Sequence, residues 1–262
     1  MAVSSTQPLQ EDRLYYETDF RVRSYEVDPT GRVSIISIQN YLQEAASEHA
    51  LRLGFAIQHL APKGLTWVLS RFHTQMVDYP GWRETLHLRT WPSGNRGFFS
   101  MRDFLLTDAS GRIVGRSSTA WLLLDVRRRR PVPVEKHLPD LPFQPERAID
   151  TDFPSLPAPQ QPDQTCELPV RFRDLDVNGH ANNVAFVEWC LDAVPDEIRH
   201  SCMLTELEMH YRAEAGLGDR IISEAEVISR KGKRILLHKL IKTADEKIVA
   251  LARSHWQSIE GH

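Results

Sequence analysis

Cysteine is scarce in this chain, and its scarcity excludes several kinds of structure. The 262 residues include three cysteines, Cys166, Cys190 and Cys202. Their spacings match neither a zinc ligand set nor the framework of a disulfide-rich secreted domain. We therefore expect a protein without disulfides that works in a reducing compartment, with the cytoplasm as the default location.

Long apolar runs and a large excess of one charge are also missing. No apolar segment approaches the roughly 20 residues that a transmembrane helix needs, so no membrane span is predicted. The start of the chain, Met1 to Asp12, is polar and lacks the apolar core of a signal peptide. The formal net charge is -3, so a nucleic-acid partner is not expected.

The chain does contain an internal repeat, which is the first sign of its organisation. Two stretches lie 148 residues apart, Tyr25-Glu-Val-Asp-Pro-Thr-Gly-Arg-Val33 and Arg173-Asp-Leu-Asp-Val-Asn-Gly-His-Ala181. Apolar residues at helical spacing after each stretch predict helices over 35–53 and 183–194. A second match, at an offset of 135, aligns Tyr79-Pro-Gly-Trp-Arg-Glu84 with Glu214-Ala-Gly-Leu-Gly-Asp219.

Strand-like segments separated by turn signals such as Ser93-Gly-Asn surround both helices. The predicted strands are Phe20 to Val27, Leu65 to Asp78, Thr85 to Pro92, Phe98 to Asp108, Ile113 to Val126, Leu168 to Leu175, Glu206 to Ala213, Asp219 to Ser229, Arg234 to Thr243 and Ile248 to Glu260. Nine of the 16 prolines fall between Pro131 and Thr165, which indicates an extended linker over the surface. We predict an α+β protein with units at 1–138 and 166–262, joined by a linker at 139–165.

Only the second copy of the repeat carries acid, amide and imidazole groups together. The copies align in four pairs: Asp28 with Asp176, Thr30 with Asn178, Gly31 with Gly179 and Arg32 with His180. Asp176, Asn178 and His180 therefore lie just before a buried helix, whose first N–H groups can polarise a carbonyl oxygen. Glu214, aligned with Tyr79, joins Asp176 as a candidate for activating water or attacking directly.

A structural reading of the same turn stays open. Asp-x-Asn-Gly is also a common turn sequence, in which Asn and Gly are chosen for backbone geometry. The presence of His180 where the first copy has Arg32 favours the catalytic reading, because a purely structural turn does not require an imidazole.

At these residues the chain resembles the acyl-acyl carrier protein thioesterases of plants and bacteria. The matching stretches are Leu175-Asp-Val-Asn-Gly-His-Ala-Asn-Asn-Val184, Tyr211-Arg-Ala-Glu-Ala-Gly216, Thr66-Trp-Val-Leu-Ser-Arg71, Tyr79-Pro-Gly-Trp82 and Ser117-Ser-Thr-Ala-Trp-Leu122. The resemblance implies tandem hot-dog units, each a long helix wrapped by an antiparallel sheet. Acyl-chain binding is then expected mainly in the first unit and chemistry in the second.

The resemblance also implies a reaction and a set of roles. The reaction is hydrolysis of the thioester of a fatty acyl-acyl carrier protein, without metal or cofactor, by a monomer or a homodimer. The catalytic residues carry over to Asp176, Asn178, His180 and Glu214. Many plant members have a cysteine directly after the glutamate; here Ala215 occupies that position, so a Cys-His mechanism is not available. The glutamine that the family has in the turn is replaced by Gly179.

Further side chains are assigned from the same resemblance. Trp67, Arg71 and Trp121 are expected to bind the acyl substrate. An acidic carrier protein requires a basic docking surface, for which Arg127, Arg128, Arg129 and Arg130 are candidates. Arg212 and the segment Arg230-Lys-Gly-Lys-Arg234 are equal contenders. Simple solvation of an exposed charge run is the alternative for these arginines. His49 and His73 show no partner spacing and are interpreted as ordinary surface or strand residues.

Two rival functions remain. An acyl-coenzyme A thioesterase of the hot-dog class would use the same catalytic groups with a nucleotide site in place of a carrier dock. A non-catalytic acyl-binding or carrier-binding protein would have no need of all four polar residues. Chain-length preference is not predicted, because one or two methylenes change binding by only about 1–3 kcal/mol.

Overall fold

The computed structural model describes residues 13–230 and 233–259, without the side chains of residues 229 and 230. The polar start, for which no signal peptide was predicted, lies outside the described residues. The described part forms two compact units. Unit 1 contains residues 13–69 and Val77–Asp150; unit 2 contains Ser70–Met76 and the described residues from Thr151 onward.

Unit 1 is one long helix packed against an antiparallel sheet. Helix α1 (Ile35–Leu53) begins at Ser34, whose hydroxyl accepts the N–H of Ser37 at 3.1 Å, and ends at Gly54 in the left-handed conformation. The strands are β1 (Tyr16–Arg21), β2 (Leu65–Met76), β3 (Thr85–Arg96), β4 (Phe99–Asp108), β5 (Ile113–Asp125) and β6 (Arg130–Pro131). Their order is β1-β3-β4-β5, with β6 paired to β5, and α1 packs on β1 and β3. Two short helices, α2 (Ile57–Leu60) and α3 (Val134–His137), flank this sheet.

Unit 2 has the same plan. Its helix α4 (Asn183–Asp192) packs on β9 (Arg220–Arg230) and β10 (Lys233–Lys242). The remaining strands are β7 (Gln164–Pro169), β8 (Cys202–Tyr211) and β11 (Lys247–Ser258), and the order is β8-β11-β10-β9-β7. The end of β2 also belongs to unit 2, because 71–75 pairs with β8. A short helix, α5 (Asp196–Ser201), precedes β8.

The predicted α+β fold, a helix wrapped by an antiparallel sheet in each of two units, is confirmed. The bounds of α1 agree with the prediction, and α4 ends at Asp192, two residues early. The short helices α2, α3 and α5 were not predicted, because segments of four to six residues show too little periodicity.

Four strand predictions were wrong in their bounds by four residues or more, and one of them is Glu206 to Ala213, observed as Cys202–Tyr211. The first strand is Tyr16–Arg21 rather than 20–27, because the Glu26 N–H bonds Arg23 O at 3.1 Å and turns the chain. The matching strand of unit 2 is Gln164–Pro169, and a 3-10 helix follows at Phe172–Asp174. Ser93-Gly-Asn does not end a strand, since β3 runs on to Arg96 through a register shift between Pro92 and Gly94.

The proline-rich segment after Asp150 lies against unit 2. Phe153 and Leu156 are buried there, and the N–H of Gln160 donates to a Glu226 carboxylate oxygen at 2.6 Å. The Asp163 N–H then bonds Ala225 O at 2.8 Å, just before β7 begins. The segment is therefore an ordered strap rather than a loose connection.

Among the helices in the described part of the chain, none combines the length and the apolar character that a bilayer crossing requires.

Candidate active site

The predicted catalytic triplet lies on a tight turn before α4. The Asp176 N–H donates to His180 O at 2.8 Å, and the Gly179 N–H donates to Asp176 O at 3.0 Å. Gly179 has a φ of 77°, a left-handed conformation that side chains other than glycine disfavour. The turn therefore fixes the backbone that carries all three residues.

A second segment brings Glu214 to this turn. The Ala181 N–H donates to Ala215 O at 2.8 Å, and His180 forms a β-bridge with Gly216. His180 Nε2 consequently lies 3.7 Å from Glu214 Oε2, with side chains 47% and 46% exposed. The distance is longer than a hydrogen bond, and the exposure leaves room for a substrate or a water between or beside the two groups.

Both carboxylate oxygens of Asp176 contact its neighbour Asn178. One carboxylate oxygen accepts the Asn178 backbone N–H at 2.8 Å, and the other lies 3.3 Å from the amide nitrogen Nδ2. These contacts orient the Asn178 amide, because the Nδ2 end is held by the carboxylate. The contacts of Asp176 thus orient another of the four predicted catalytic residues, Asn178.

The backbone N–H groups at the start of α4 already have hydrogen-bond acceptors within the protein, which the sequence did not indicate. The Asn182 N–H donates to Asp174 O at 2.7 Å, and the Val184 N–H donates to Asn182 Oδ1 at 3.0 Å. With the Ala185 N–H bonded to Asn182 O at 2.9 Å, three of the N–H groups expected to polarise a substrate carbonyl are already engaged. The side chains of Asn178 and His180 therefore become the main candidate donors.

Residues outside the predicted set hold this frame in place. The Gly216 N–H donates to Asp219 Oδ2 at 2.9 Å, and the Arg171 N–H donates to Asp174 Oδ2 at 2.7 Å. Tyr211 donates its hydroxyl to Asn183 O at 2.9 Å. Burial raises the pKa of Tyr211 well above its ordinary value, so this hydroxyl keeps its proton and continues to donate.

Unit 1 contains the same frame bond for bond. Six backbone hydrogen bonds of unit 2 have counterparts there: Asp176 N–His180 O with Asp28 N–Arg32 O, Gly179 N–Asp176 O with Gly31 N–Asp28 O, Asn182 N–Asp174 O with Ser34 N–Glu26 O, Ala181 N–Ala215 O with Val33 N–Pro80 O, Val170 N–Asp219 O with Val22 N–Glu84 O, and Asp219 N–Gly216 O with Glu84 N–Gly81 O. Both offsets read from the sequence, 148 and 135, are reproduced in these pairs. The repeat is therefore structural and extends to both segments of the candidate site.

The side chains on the frame of unit 1 are committed to other contacts. Arg32 donates to Asp78 Oδ1 at 2.6 Å and to Tyr79 O at 3.0 Å. Tyr79, at the position of Glu214, is 6% exposed, and burial raises the pKa of its hydroxyl further above its ordinary value. Thr30 bonds Asp28 through its hydroxyl. At the positions of Glu214 and His180, this copy therefore has neither a carboxylate nor an imidazole.

A cavity of about 350 Å³ lies in unit 1 and is lined mostly by apolar side chains. Trp67 and Trp121 both line it, together with Met101 and Leu51. Trp67 Nε1 donates to Phe55 O at 3.0 Å, which fixes the indole in the wall. These are two of the three residues that the sequence assigned to acyl binding.

Arg71, the third, lies in unit 2 and does not line this cavity. One of its guanidinium nitrogens donates to Phe153 O at 2.9 Å, which ties the proline-rich strap to β2. The role of Arg71 in substrate binding stays a prediction. Arg212 is exposed, two residues before Glu214. Arg127 to Arg129 occupy the exposed turn between β5 and β6, and exposed Arg130 begins β6. Residues 231 and 232 of the third docking candidate lie outside the described residues.

The cavity also contains an ionisable pair that the sequence did not reveal. Arg102 lines it and donates from one nitrogen to His49 Nδ1 and Thr90 Oγ1, each at 3.1 Å. Burial lowers the pKa of Arg102 to about 10. Burial and the nearby Arg102 together lower the pKa of His49 to about 3, so the imidazole stays neutral. His49 is fully buried, so its interpretation as an ordinary surface or strand residue was wrong.

A second buried network lies on strands of unit 2. His73 Nε2 is 2.8 Å from Glu206 Oε1, and His255 Nδ1 is 3.2 Å from Glu206 Oε2. Burial raises the pKa of Glu206, but the hydrogen bonds from His255 and His73 outweigh it and leave that pKa well below its ordinary value. Arg253 pairs with Glu208 at 2.7 Å on the same strands. His73 is a strand residue, as predicted, and it has a carboxylate partner that its spacing in the sequence did not indicate.

In the part of the chain that the structure describes, no group of three or more His, Cys, Asp or Glu side chains is arranged to hold a metal ion.

Two family models match the chain in sequence. The acyl-ACP thioesterase N-terminal domain matches residues 13–141, and the acyl-ACP thioesterase C-terminal domain matches residues 158–258. Together they cover both units and both segments of the candidate site.

Similar curated proteins are plant enzymes. Oleoyl-acyl carrier protein thioesterase 2 of Arabidopsis thaliana is 32% identical over 233 residues, which cover 82% of this chain and 64% of that protein. Dodecanoyl-[acyl-carrier-protein] hydrolase of Cinnamomum camphora is 29% identical over 93% of this chain and 68% of its own length. The chain thus spans about two thirds of the length of these chloroplastic relatives.

Solved structures give the same result for the fold. The 12:0-ACP thioesterase of Umbellularia californica superposes with a TM-score of 0.86 at 28% identity, covering 97% of this chain and 98% of that one. An acyl-ACP thioesterase of Bacteroides thetaiotaomicron superposes with a TM-score of 0.83 at 24% identity, covering 95% and 99%. At that identity, the second likeness concerns the fold alone.

Proposed function

Because the chain belongs to the acyl-ACP thioesterase family, we propose that it hydrolyses the thioester of a fatty acyl chain carried by acyl carrier protein. The products are the free fatty acid and the carrier with its phosphopantetheine thiol. The observation that supports this most directly is the asymmetry of the duplicated frame. Unit 2 carries Asn178, His180 and Glu214 where unit 1 carries Thr30, Arg32 and Tyr79 on the same backbone bonds.

Glu214 activates the attacking water. Its carboxylate is half exposed, 3.7 Å from His180 Nε2, so a water molecule can reach it and transfer a proton to it. The water oxygen attacks the thioester carbonyl carbon, the C–S bond breaks, and the proton passes to the departing thiolate. Ala215, the next residue, is 1% exposed and without a nucleophilic group, which leaves the water route to Glu214.

Asn178 and His180 polarise the carbonyl. Each can direct an N–H at the oxygen where negative charge develops, and such a donor contributes about 10²–10³-fold in rate. Their positions are fixed before substrate binds, since the turn is closed by backbone bonds and Asp176 holds the Asn178 amide. Preorganised donors need no rearrangement as the charge develops.

Asp176 orients this constellation rather than attacking the substrate. Both of its carboxylate oxygens are near nitrogen atoms of Asn178, at 2.8 and 3.3 Å. A nucleophile forming an anhydride would have to leave these contacts, whereas an orienting group uses them. We therefore prefer the water route to the anhydride route.

The acyl chain binds in the cavity of unit 1. Apolar walls that include Trp67 and Trp121 suit a hydrocarbon chain. Arg212, exposed on the segment that carries Glu214, is a candidate contact for the acidic carrier.

Release of free thiol from matched acyl carrier protein and acyl-coenzyme A thioesters tests this function. We expect carrier-selective hydrolysis in the wild type and a loss of about 10²–10⁴-fold in kcat for Glu214→Ala. Hydrolysis of coenzyme A esters alone would change the proposed substrate to acyl-coenzyme A and leave the proposed site unchanged. Binding of acyl carriers without any thiol release would replace the enzyme by an acyl binder.

A further inference from the structure

The hairpin that joins β5 to β6 concentrates positive charge on unit 1. Arg127, Arg128, Arg129 and Arg130 are consecutive and all exposed. The Val126 N–H bonds Gly64 O at 2.9 Å, so exposed Lys63 lies beside the same turn. This group of five cations is called the basic hairpin below.

Little negative charge offsets the basic hairpin. Asp125 lies within it, and its carboxylate is 3.8 Å from the guanidinium of Arg128. The neighbouring helix α3 adds Glu135 and Lys136, whose charges cancel. The hairpin therefore keeps an excess of positive charge, although the whole chain has a formal net charge of -3.

The turn holds its arginines in a defined arrangement. One carboxylate oxygen of Asp125 accepts the backbone N–H groups of Arg127 and Arg128, each at 3.0 Å. The N–H groups of Arg128 and Arg127 hold the pKa of Asp125 below its ordinary value, so the carboxylate stays charged and keeps both bonds. Arg129 follows with a φ of 50°. A turn closed in this way loses little entropy when a partner binds.

The base of the hairpin is continuous with the wall of the acyl cavity. Leu123 and Val134, on either side of the turn, are buried in one cluster with Leu60, Leu65 and Leu138. Three partly buried residues that pack on this cluster also line the cavity, namely Phe55, Trp67 and Leu141. The base of the basic hairpin thus packs in the same apolar cluster that supports the wall of the cavity.

We propose that the basic hairpin is the surface on which the acidic carrier protein docks. The inference rests on the proposed function, since it concerns the partner that delivers the thioester. Charge complementarity with an acidic protein surface selects this occupant, and such pairing acts mainly on association rate and specificity. A single-stranded nucleic acid is disfavoured, because its sites combine basic grooves with stacking aromatic rings, and the large exposed apolar side chain of the turn is Val126.

The test reverses two charges on the turn and compares two substrates. Arg127→Glu/Arg128→Glu keeps both backbone bonds to Asp125, and Arg127→Gln/Arg128→Gln removes charge without adding repulsion. Exposed Arg21 and Arg83 of unit 1, changed to Glu together, form the control with the same total charge change. Each protein is assayed with acyl-carrier protein and with the same acyl group on N-acetylcysteamine, at low and high salt.

For the Glu variant we expect kcat/KM on the carrier substrate to fall about 10-fold or more, through KM, with a smaller fall for the Gln variant. The N-acetylcysteamine ester should be hydrolysed at the wild-type rate by every variant. The salt dependence of the carrier reaction should weaken in both hairpin variants, more in the Glu variant, and stay unchanged in the Arg21/Arg83 control. Equal kcat/KM on the carrier for wild type and the Glu variant would overturn the proposal, and so would an equal loss on the small ester or in the Arg21/Arg83 control.

Binding of the carrier without an acyl group, measured by titration of the full chain, separates this proposal from the proposed function. If neither thioester is hydrolysed but the carrier binds wild type and not the Glu variant, the docking surface stands and the hydrolase fails. If wild type hydrolyses the carrier substrate and the Glu variant binds the carrier equally well, the docking surface fails alone.

Discussion

His180 Nε2 and Glu214 Oε2 face each other at 3.7 Å across two segments joined by backbone hydrogen bonds. The gap is too long for a hydrogen bond and leaves both groups able to contact a third molecule. In the water route, Glu214 contacts the attacking water, and His180 contacts the carbonyl oxygen of the substrate.

Glu214→Gln should retain the shape of the side chain and remove the base. We expect kcat to fall about 10²–10⁴-fold with little change in KM, because the general base acts in the chemical step. Single-turnover kinetics measure the change, with Glu246→Gln on an exposed turn of unit 2 as the control. Retention of the wild-type kcat in Glu214→Gln would remove Glu214 from the mechanism.

Asp176→Asn distinguishes an orienting group from a nucleophile. The amide oxygen of the new side chain can still accept the Asn178 backbone N–H, now at 2.8 Å. Because this bond is retained, we expect kcat to fall by only about 10–100-fold. Asp176→Ala should lose more, because both contacts disappear. A mixed anhydride needs a carboxylate; complete loss in Asp176→Asn equal to that in Asp176→Ala would therefore favour the anhydride route.

His180→Arg places the side chain of unit 1 on the frame of unit 2. Because Arg32 occupies this position in unit 1 with the same backbone bonds, the free energy of unfolding should change by no more than about 0.5 kcal/mol, as for exposed positions generally. Activity should nevertheless fall about 10²-fold or more, since the imidazole N–H donor and its geometry are lost. Urea unfolding and kcat are measured on one preparation. A marked loss of stability would show that the imidazole supports the fold.

Gly179→Ala and Gly31→Ala form a matched pair. Both glycines have left-handed backbone, with φ of 77° and 79°, and a Cβ at either would meet nothing within 4 Å. Each substitution should lower the free energy of unfolding by about 1 kcal/mol through backbone strain alone. Only Gly179→Ala should lower kcat, because only its turn carries the catalytic side chains. Equal loss of activity in both variants would mean that the turn of unit 1 also serves the reaction.

Glu206→Gln tests the ionic network between His73 and His255. A carboxyl group with a lowered pKa stabilises the folded state above its ordinary pKa, and that stabilisation is lost as pH falls through the lowered value. At pH 7 we expect Glu206→Gln to be less stable than wild type by about 1–3 kcal/mol, the usual contribution of hydrogen bonds to a charged group. The difference should shrink steadily below pH 4. Urea titrations from pH 3 to 8 check this, and a difference independent of pH would assign the effect to packing.

The repeat, and the approach of Glu214 to the turn that carries His180, were predictable because both depend on local sequence. The turn uses Asp and Gly for backbone geometry in each copy, so spacing alone aligned Asp28 with Asp176, and the second offset brought in Glu214. The polar pairs were not predictable. Arg102 and His49 are 53 positions apart, and partners so distant are chosen by the pairing of strands and a helix, which no local pattern encodes.

The strand bounds failed for a related reason. Alternating residues after Arg21 continue a strand-like pattern, but the hydrogen bonds there are taken by the turn at Arg23 and Glu26. A strand ends where its partner ends, and the partner strand β3 begins its register with Arg21 opposite Thr85. Periodicity reports which face a residue shares but not whether a neighbouring strand is present.

The duplicated frame separates folding from chemistry within one chain. Its hydrogen bonds run between backbone atoms, so they are indifferent to which side chain stands at positions 30, 32, 178 or 180. Divergence at these positions could therefore abolish or create a reaction while the architecture persisted. For protein engineering, the turn of unit 1 already has the backbone that the proposed site of unit 2 uses. A second catalytic set could therefore be introduced there by exchanging side chains alone.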